Sequence, residues 1–132
     1  MALTVLVVDD SRIMRNTMKS VFAKMRVACE FIEADDGVEA LDFLEKNPVK
    51  LILLDWNMPK LSGLDFLKQV RSIEKYRFLP IFMVTSKTAR ANVIEAIQNG
   101  ATDYITKPIN IDLFVEKLIR LPLFREYRRD GE

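Results

Sequence analysis

Apolar residues fall into two alternating kinds of pattern along this chain. One uninterrupted run, Leu51-Ile-Leu-Leu54, reads as a strand buried on both faces, and the runs Val5-Leu-Val-Val8 and Ile81-Phe-Met-Val84 read as further strands. The intervening stretches repeat apolar residues every three or four positions, as a helix with one buried stripe does. Residues 4–8 predict the first strand, which ends in Asp9-Asp10. Ser11 can cap a first helix whose stripe is Met14, Met18, Val21 and Met25. A shorter strand over 31–34 leads through the turn Asp35-Asp36-Gly37 into a helix with Val38, Leu41 and Leu44 inward, ended by Asn47-Pro48. After the central strand, 51–54, a loop through Pro59 reaches Gly63, and the next helix carries Leu64, Leu67, Val70 and Ile73. Pro80 opens the fourth strand, 81–85, and a helix over about 89–99 stops at Gly100. A fifth strand covers 104–106, Lys107-Pro108 breaks the chain, and 111–120 predicts a last helix with Ile111, Phe114 or Val115, and Leu118 inward. Pro122 follows that helix.

Five such strand and helix units imply an α/β fold, a five-stranded parallel sheet with helices on both faces, because right-handed crossovers leave few alternatives. The expected strand order is 2-1-3-4-5, which sets the ends of strands one and three side by side at the switch point, where open α/β sheets bind ligands. Asp9, Asp10 and Asp55 converge there in this arrangement, and strands four and five bring Thr85 and Lys107 to the same edge.

Composition narrows the chemistry. The 132 residues are 49% hydrophobic, enough for one domain with a real core. There is no histidine, so histidine catalysis is excluded. Lys and Arg number 20 against 19 Asp and Glu, and a net charge of +1 makes no electrostatic case for nucleic acid or membrane as a partner. The single Cys29 has no internal disulfide partner and reads as a buried thiol. No signal-peptide pattern opens the chain and no window has the length of a membrane span, so a cytoplasmic protein is expected.

Three carboxylates in one cleft either hold protons above their ordinary range or bind a cation. An oxygen-rich, water-accessible site suits Mg²⁺. An anion beside that ion, the Lys107 ammonium and the Thr85 hydroxyl would be held as a transferring phosphoryl group is, with Asp55 the obvious nucleophile. Each residue alone has a plainer reading: Asp9-Asp10 as a helix cap, Thr85 as a strand-end hydroxyl, Lys107 as a solvated charge, Tyr104 as a half-buried strand aromatic. Their joint position is what favours the site.

Four segments, Val7-Val-Asp-Asp-Ser11, Asp55-Trp-Asn-Met-Pro59, Val84-Thr-Ser86 and Tyr104-Ile-Thr-Lys-Pro108, together resemble the receiver domain of two-component response regulators, most nearly the single-domain chemotaxis regulators with their flavodoxin-like sheet. The likeness covers roughly residues 3–121. It implies that Asp55 accepts a phosphoryl group, that Asp10, Asp55 and the Asn57 backbone carbonyl hold Mg²⁺ with Asp9 acting through water, and that Lys107 pairs with the phosphoryl oxygens. It further implies a cis Lys107-Pro108 bond, a switch pair of Thr85 and Tyr104, and rate tuning by Asn57 and Lys87. Lys87 departs from the acidic residue of the enterobacterial chemotaxis regulators, and Lys24-Met-Arg-Val-Ala-Cys29 lacks the glycine that usually follows the first helix.

The reading that results is a stand-alone phosphorylation switch and not a conventional enzyme. The implied partners are a histidine kinase and a protein target such as a flagellar motor switch component. Residues 1–122 form the expected receiver domain and 123–132 a charged tail. The expected partner surface is Arg90, Val93, Ile97, Tyr104, Thr106, Lys117 and Arg120, with Trp56 a partly exposed neighbour of the site. Rival readings are a phosphorelay receiver, a piece of a longer regulator, a flavin binder, and a haloacid-dehalogenase-type phosphohydrolase. The last needs a general acid two residues after the nucleophile, where Asn57 cannot give a proton.

Overall fold

The computed structural model describes residues 2–125. Its strands are β1 (Leu3–Val8), β2 (Cys29–Ala34), β3 (Leu51–Leu54), β4 (Ile81–Thr85) and β5 (Asp103–Thr106). The helices between and after them are α1 (Arg12–Met25), α2 (Gly37–Lys46), α3 (Gly63–Arg71), α4 (Arg90–Gln98) and α5 (Ile111–Leu118), with single 3₁₀ turns at Glu74–Tyr76 and Pro122–Phe124. All five strands are parallel in the order β2-β1-β3-β4-β5, as the alternating pattern predicts.

The central strands read as continuous apolar runs because each of their faces meets a helical layer. Leu6, Val8, Ile52, Leu54, Ile81 and Met83 face a core with Ala40, Leu44, Phe66, Leu67 and Val70 from α2 and α3. Val5, Val7, Leu51, Leu53, Phe82 and Val84 face the opposite core, with Met18, Val21 and Phe22 from α1 and Phe114 and Leu118 from α5. Ser11, Asp36, Ser62 and Asn110 cap the helices that follow them, each side chain accepting a backbone N–H three residues on, at 2.8–3.2 Å. Among the described residues no helix is long and apolar enough to cross a membrane.

Several inward assignments change. Val38 is 54% exposed, because α2 starts at Gly37 and buries the face of Gly37, Ala40 and Leu44, about 100° round the helix from Val38. Ile73 is exposed because α3 stops at Arg71; Phe66 fills the stripe instead. Of the Phe114 and Val115 alternatives, Phe114 is fully buried and Val115 half-buried. Cys29 is only half-buried at the start of β2, and burial pushes its thiol up to about 11, so it is not a reactive thiolate. The missing glycine after α1 has a structural answer: Arg26 takes the left-handed conformation itself, φ 59°, while its N–H and that of Val27 bond back to Ala23 and Phe22.

Core packing also runs past residue 122. Phe124 is fully buried, its ring 6.3 Å from that of Phe22, so the last 3₁₀ turn belongs to the α1 and α5 side of the core. Most of the expected charged tail, residues 126–132, lies outside the described residues.

Candidate functional site

The register of the sheet builds the site. Val8 pairs with Leu54, so Asp9 and Asp55 leave adjacent strands at the same end. Asp9 is 1% and Asp55 6% exposed, while Asp10 is exposed. One carboxylate oxygen from each of the three lies within 4.8 Å of the others, a donor set of hard oxygens that fits Mg²⁺. Asn57 is exposed on the rim of a cleft of about 520 Å³ with Asp10, Ser62 and Lys87.

Lys107 comes from the next sheet position but one. Its backbone N–H bonds to the Thr85 carbonyl at 2.9 Å, fixing the end of β5 to β4, and the peptide bond that follows, to Pro108, is cis. The Lys107 ammonium then reaches between the buried carboxylates, 2.8 Å from Asp9 Oδ2 and 3.5 Å from Asp55 Oδ2. Asp9 Oδ1 accepts the Ser11 N–H at 2.8 Å, and Asp55 Oδ1 accepts the Trp56 N–H at 2.7 Å. The Thr85 side chain is fully buried, and its hydroxyl oxygen accepts the Lys87 N–H at 3.4 Å.

Burial pushes the Asp55 carboxyl above the usual carboxylate range; Lys107 opposes the shift and the Asp9 charge adds to it. A folded-state pKa above the unfolded one means that ionised Asp55 weakens the metal-free fold at neutral pH, and that the penalty fades as pH falls toward the unfolded value. In chelator, Asp55→Asn should therefore raise the urea midpoint at pH 7 and lose that advantage near pH 4. An equal or lower midpoint at pH 7 contradicts this account of the shift.

The loop after β3 is held close to the acid. The Gly63 N–H bonds to the Trp56 carbonyl at 2.8 Å, and a Cβ on Gly63 would stand 1.9 Å from the Asp55 carbonyl oxygen. That fold-back also corrects the expectation for Trp56: the ring is only 8% exposed and joins the core, with the Lys87 ammonium 5.6 Å from its centroid. Tyr104 is 6% exposed, and its hydroxyl donates to the Lys87 carbonyl at 2.6 Å.

The expected outward surface is therefore not uniform. Val93, Ile97, Tyr104, Thr106 and Lys117 do line one groove of about 390 Å³ between α4, β5 and α5. Within it Tyr104 is buried and Val93 and Lys117 are half-buried, while Ile97 and Thr106 are exposed. Lys117 donates to the Tyr104 carbonyl at 3.0 Å and pairs with Asp103. Arg90 and Arg120 are exposed outside that lining. Sequence reasoning missed Arg15, which is 8% exposed and donates to the Asp9 carbonyl at 2.6 Å. A charged residue one turn past the cap and beside Met14 and Met18 in a buried stripe was its available signal.

Residues 5–119 match the model of the response regulator receiver domain. The chain is 44% identical over 114 residues to a chemotaxis protein CheY homolog of Campylobacter jejuni, an alignment covering 86% of this chain and 87% of that one. It is 40% identical to chemotaxis protein CheY1 of Helicobacter pylori, with 86% of this chain and 91% of the relative covered. Among solved structures, the chemotaxis response regulator CheY4 of Vibrio cholerae superposes with a TM-score of 0.81 at 34% identity, covering 91% of this chain and 98% of that one.

Proposed function

The chain belongs to the response regulator receiver domain family, and from that premise we propose that it is a phosphorylation switch of a chemotaxis pathway, with Asp55 as the phosphoryl acceptor. Receiver domains of this kind are signalling domains and not conventional enzymes. The observation that carries the proposal is the Lys107 ammonium set between Asp9 and Asp55 beside a third carboxylate, Asp10.

Asp10 and Asp55, with the Asn57 backbone carbonyl and with Asp9 acting through water, would hold Mg²⁺. Bound there, the ion supplies positive potential against the charge of the phosphoryl group. An Asp55 carboxylate oxygen forms the new P–O bond while the bond from phosphorus to the donor's histidine nitrogen breaks, and that nitrogen keeps the electron pair. Lys107 steadies the phosphoryl oxygens from one side and Thr85, turning its hydroxyl toward the new phosphate, from the other. Because the Thr85 oxygen accepts the Lys87 N–H and the Lys87 carbonyl accepts the Tyr104 hydroxyl, that turn loads the segment to which Tyr104 is tied. The groove between α4, β5 and α5 is thereby coupled to the acceptor, and a two-state change there alters affinity for a protein target. A histidine kinase as donor and a flagellar motor switch component as target, with this chain acting in the cytoplasm, complete the reading.

Beryllofluoride with Mg²⁺ imitates the phosphoryl group and should change Trp56 emission in the native protein but not in Asp55→Asn. Silence from the native protein would count against the proposal. Asn57 and Lys87 sit where water must approach the phosphate, so Lys87→Glu should change the decay rate of the phosphorylated form by about threefold or more, a modest share of what acid and base groups contribute. Equal lifetimes would remove Lys87 from that role.

A further inference from the structure

We propose that Arg15 is a positioning residue for the divalent-cation site, acting through the peptide unit that joins Asp9 to Asp10. The inference rests on the metal reading above and adds a residue that touches neither the cation nor the phosphoryl group. The guanidinium bridges three elements. Nη1 donates to the Asp9 carbonyl at 2.6 Å and to Asp35 Oδ1 at 2.8 Å, and Nε donates to Glu33 Oε1 at 2.9 Å. Lys19 occupies the other oxygen of Glu33 at 3.0 Å. Arg15 thus ties α1 and the end of β2 to the last buried turn of chain before Asp10.

Asp9 is consequently held at every oxygen: Oδ1 by the Ser11 N–H, Oδ2 by Lys107 and the carbonyl by Arg15. Its own N–H bonds to the Ala34 carbonyl at 3.1 Å. The Asp9 carbonyl lies in the plane of the Asp9-Asp10 peptide, so fixing that oxygen fixes the plane and the direction in which Asp10 leaves it. Asp10 is the exposed member of the three carboxylates, where direction is otherwise least constrained. A planar fork with several donors suits this task; a lysine offers a point charge that cannot satisfy the carbonyl and both carboxylates in the same geometry.

Charge and geometry predict opposite signs. Were Arg15 only a nearby cation, it would oppose a second cation, and removing it would tighten Mg²⁺ binding. As a positioning residue, its loss weakens binding, by about tenfold, the low end of the effect of partners that orient metal ligands.

The experiment is a calorimetric Mg²⁺ titration of the full chain in native, Arg15→Gln, Arg15→Lys and Glu33→Gln forms, each checked for folding by its near-UV spectrum at the assay temperature. About tenfold weaker binding in both Arg15 variants, and about threefold in Glu33→Gln, which keeps the guanidinium but loosens one anchor, supports the proposal. Native or tighter affinity in folded Arg15→Gln overturns it. If Arg15→Gln does not fold, native affinity in Arg15→Lys and Glu33→Gln overturns it equally. Failure of the native protein to bind Mg²⁺ would remove the metal reading itself, an outcome distinct from native-like binding in the variants.

Discussion

Gly63→Ala should cost about 3 kcal/mol of stability, the upper end for an added methyl that must displace its surroundings, and should abolish Mg²⁺-dependent phosphorylation in whatever protein remains folded. The new Cβ would stand 1.9 Å from the Asp55 carbonyl oxygen and 2.8 Å from both the Asp55 carbonyl carbon and the Trp56 Cα. All three are backbone atoms at the end of a buried strand, so no side chain can turn aside to make room. Relief requires the loop to lift, which breaks the bond from the Gly63 N–H to the Trp56 carbonyl and moves Asp55. Urea unfolding together with phosphorylation measures both effects. A variant with native stability would show that the loop yields more readily than this packing allows.

Lys107→Ala should reduce phosphoryl transfer to Asp55 by about 100-fold, as the loss of one preorganised donor to a developing anion does. The same change should raise Mg²⁺ affinity, because the ammonium that now sits 2.8 Å from Asp9 and 3.5 Å from Asp55 competes with any other cation for those oxygens. Lys107 is also the charge that holds the Asp55 carboxyl down against its burial, so the metal-free variant should keep its Asp55 proton to higher pH. Tighter metal binding with slower transfer separates the two roles. A parallel fall in both would mean that Lys107 supports the fold of the site and not its charge balance.

The parts of this molecule that sequence exposes well are those where one physical requirement dominates. A strand covered on both faces must be apolar throughout, so β3 is legible as a central strand and β1 and β4 as apolar strands, and the limits on crossover handedness then give the strand order and the meeting of Asp9, Asp10, Asp55, Thr85 and Lys107 at one edge. Helix faces were less legible. Val38 and Ile73 fit the period locally, but where α2 begins and where α3 ends decides which way they point. The burial of Trp56 is not legible because the fold-back of its loop depends on a close approach of Gly63 to the Asp55 backbone that composition does not encode. Arg15 and Phe124 were hidden for a related reason. Each looks like a surface or tail residue by type and place, and each is buried by partners far away in the chain, Glu33 for the first and Phe22 for the second.

The most direct measurement of the central claim is the intact mass of the protein after incubation with acetyl phosphate, with and without Mg²⁺, beside Asp55→Asn. The account predicts one added phosphoryl group, in the native protein only and with metal only. An adduct that forms without metal, or one that persists in Asp55→Asn, would contradict it.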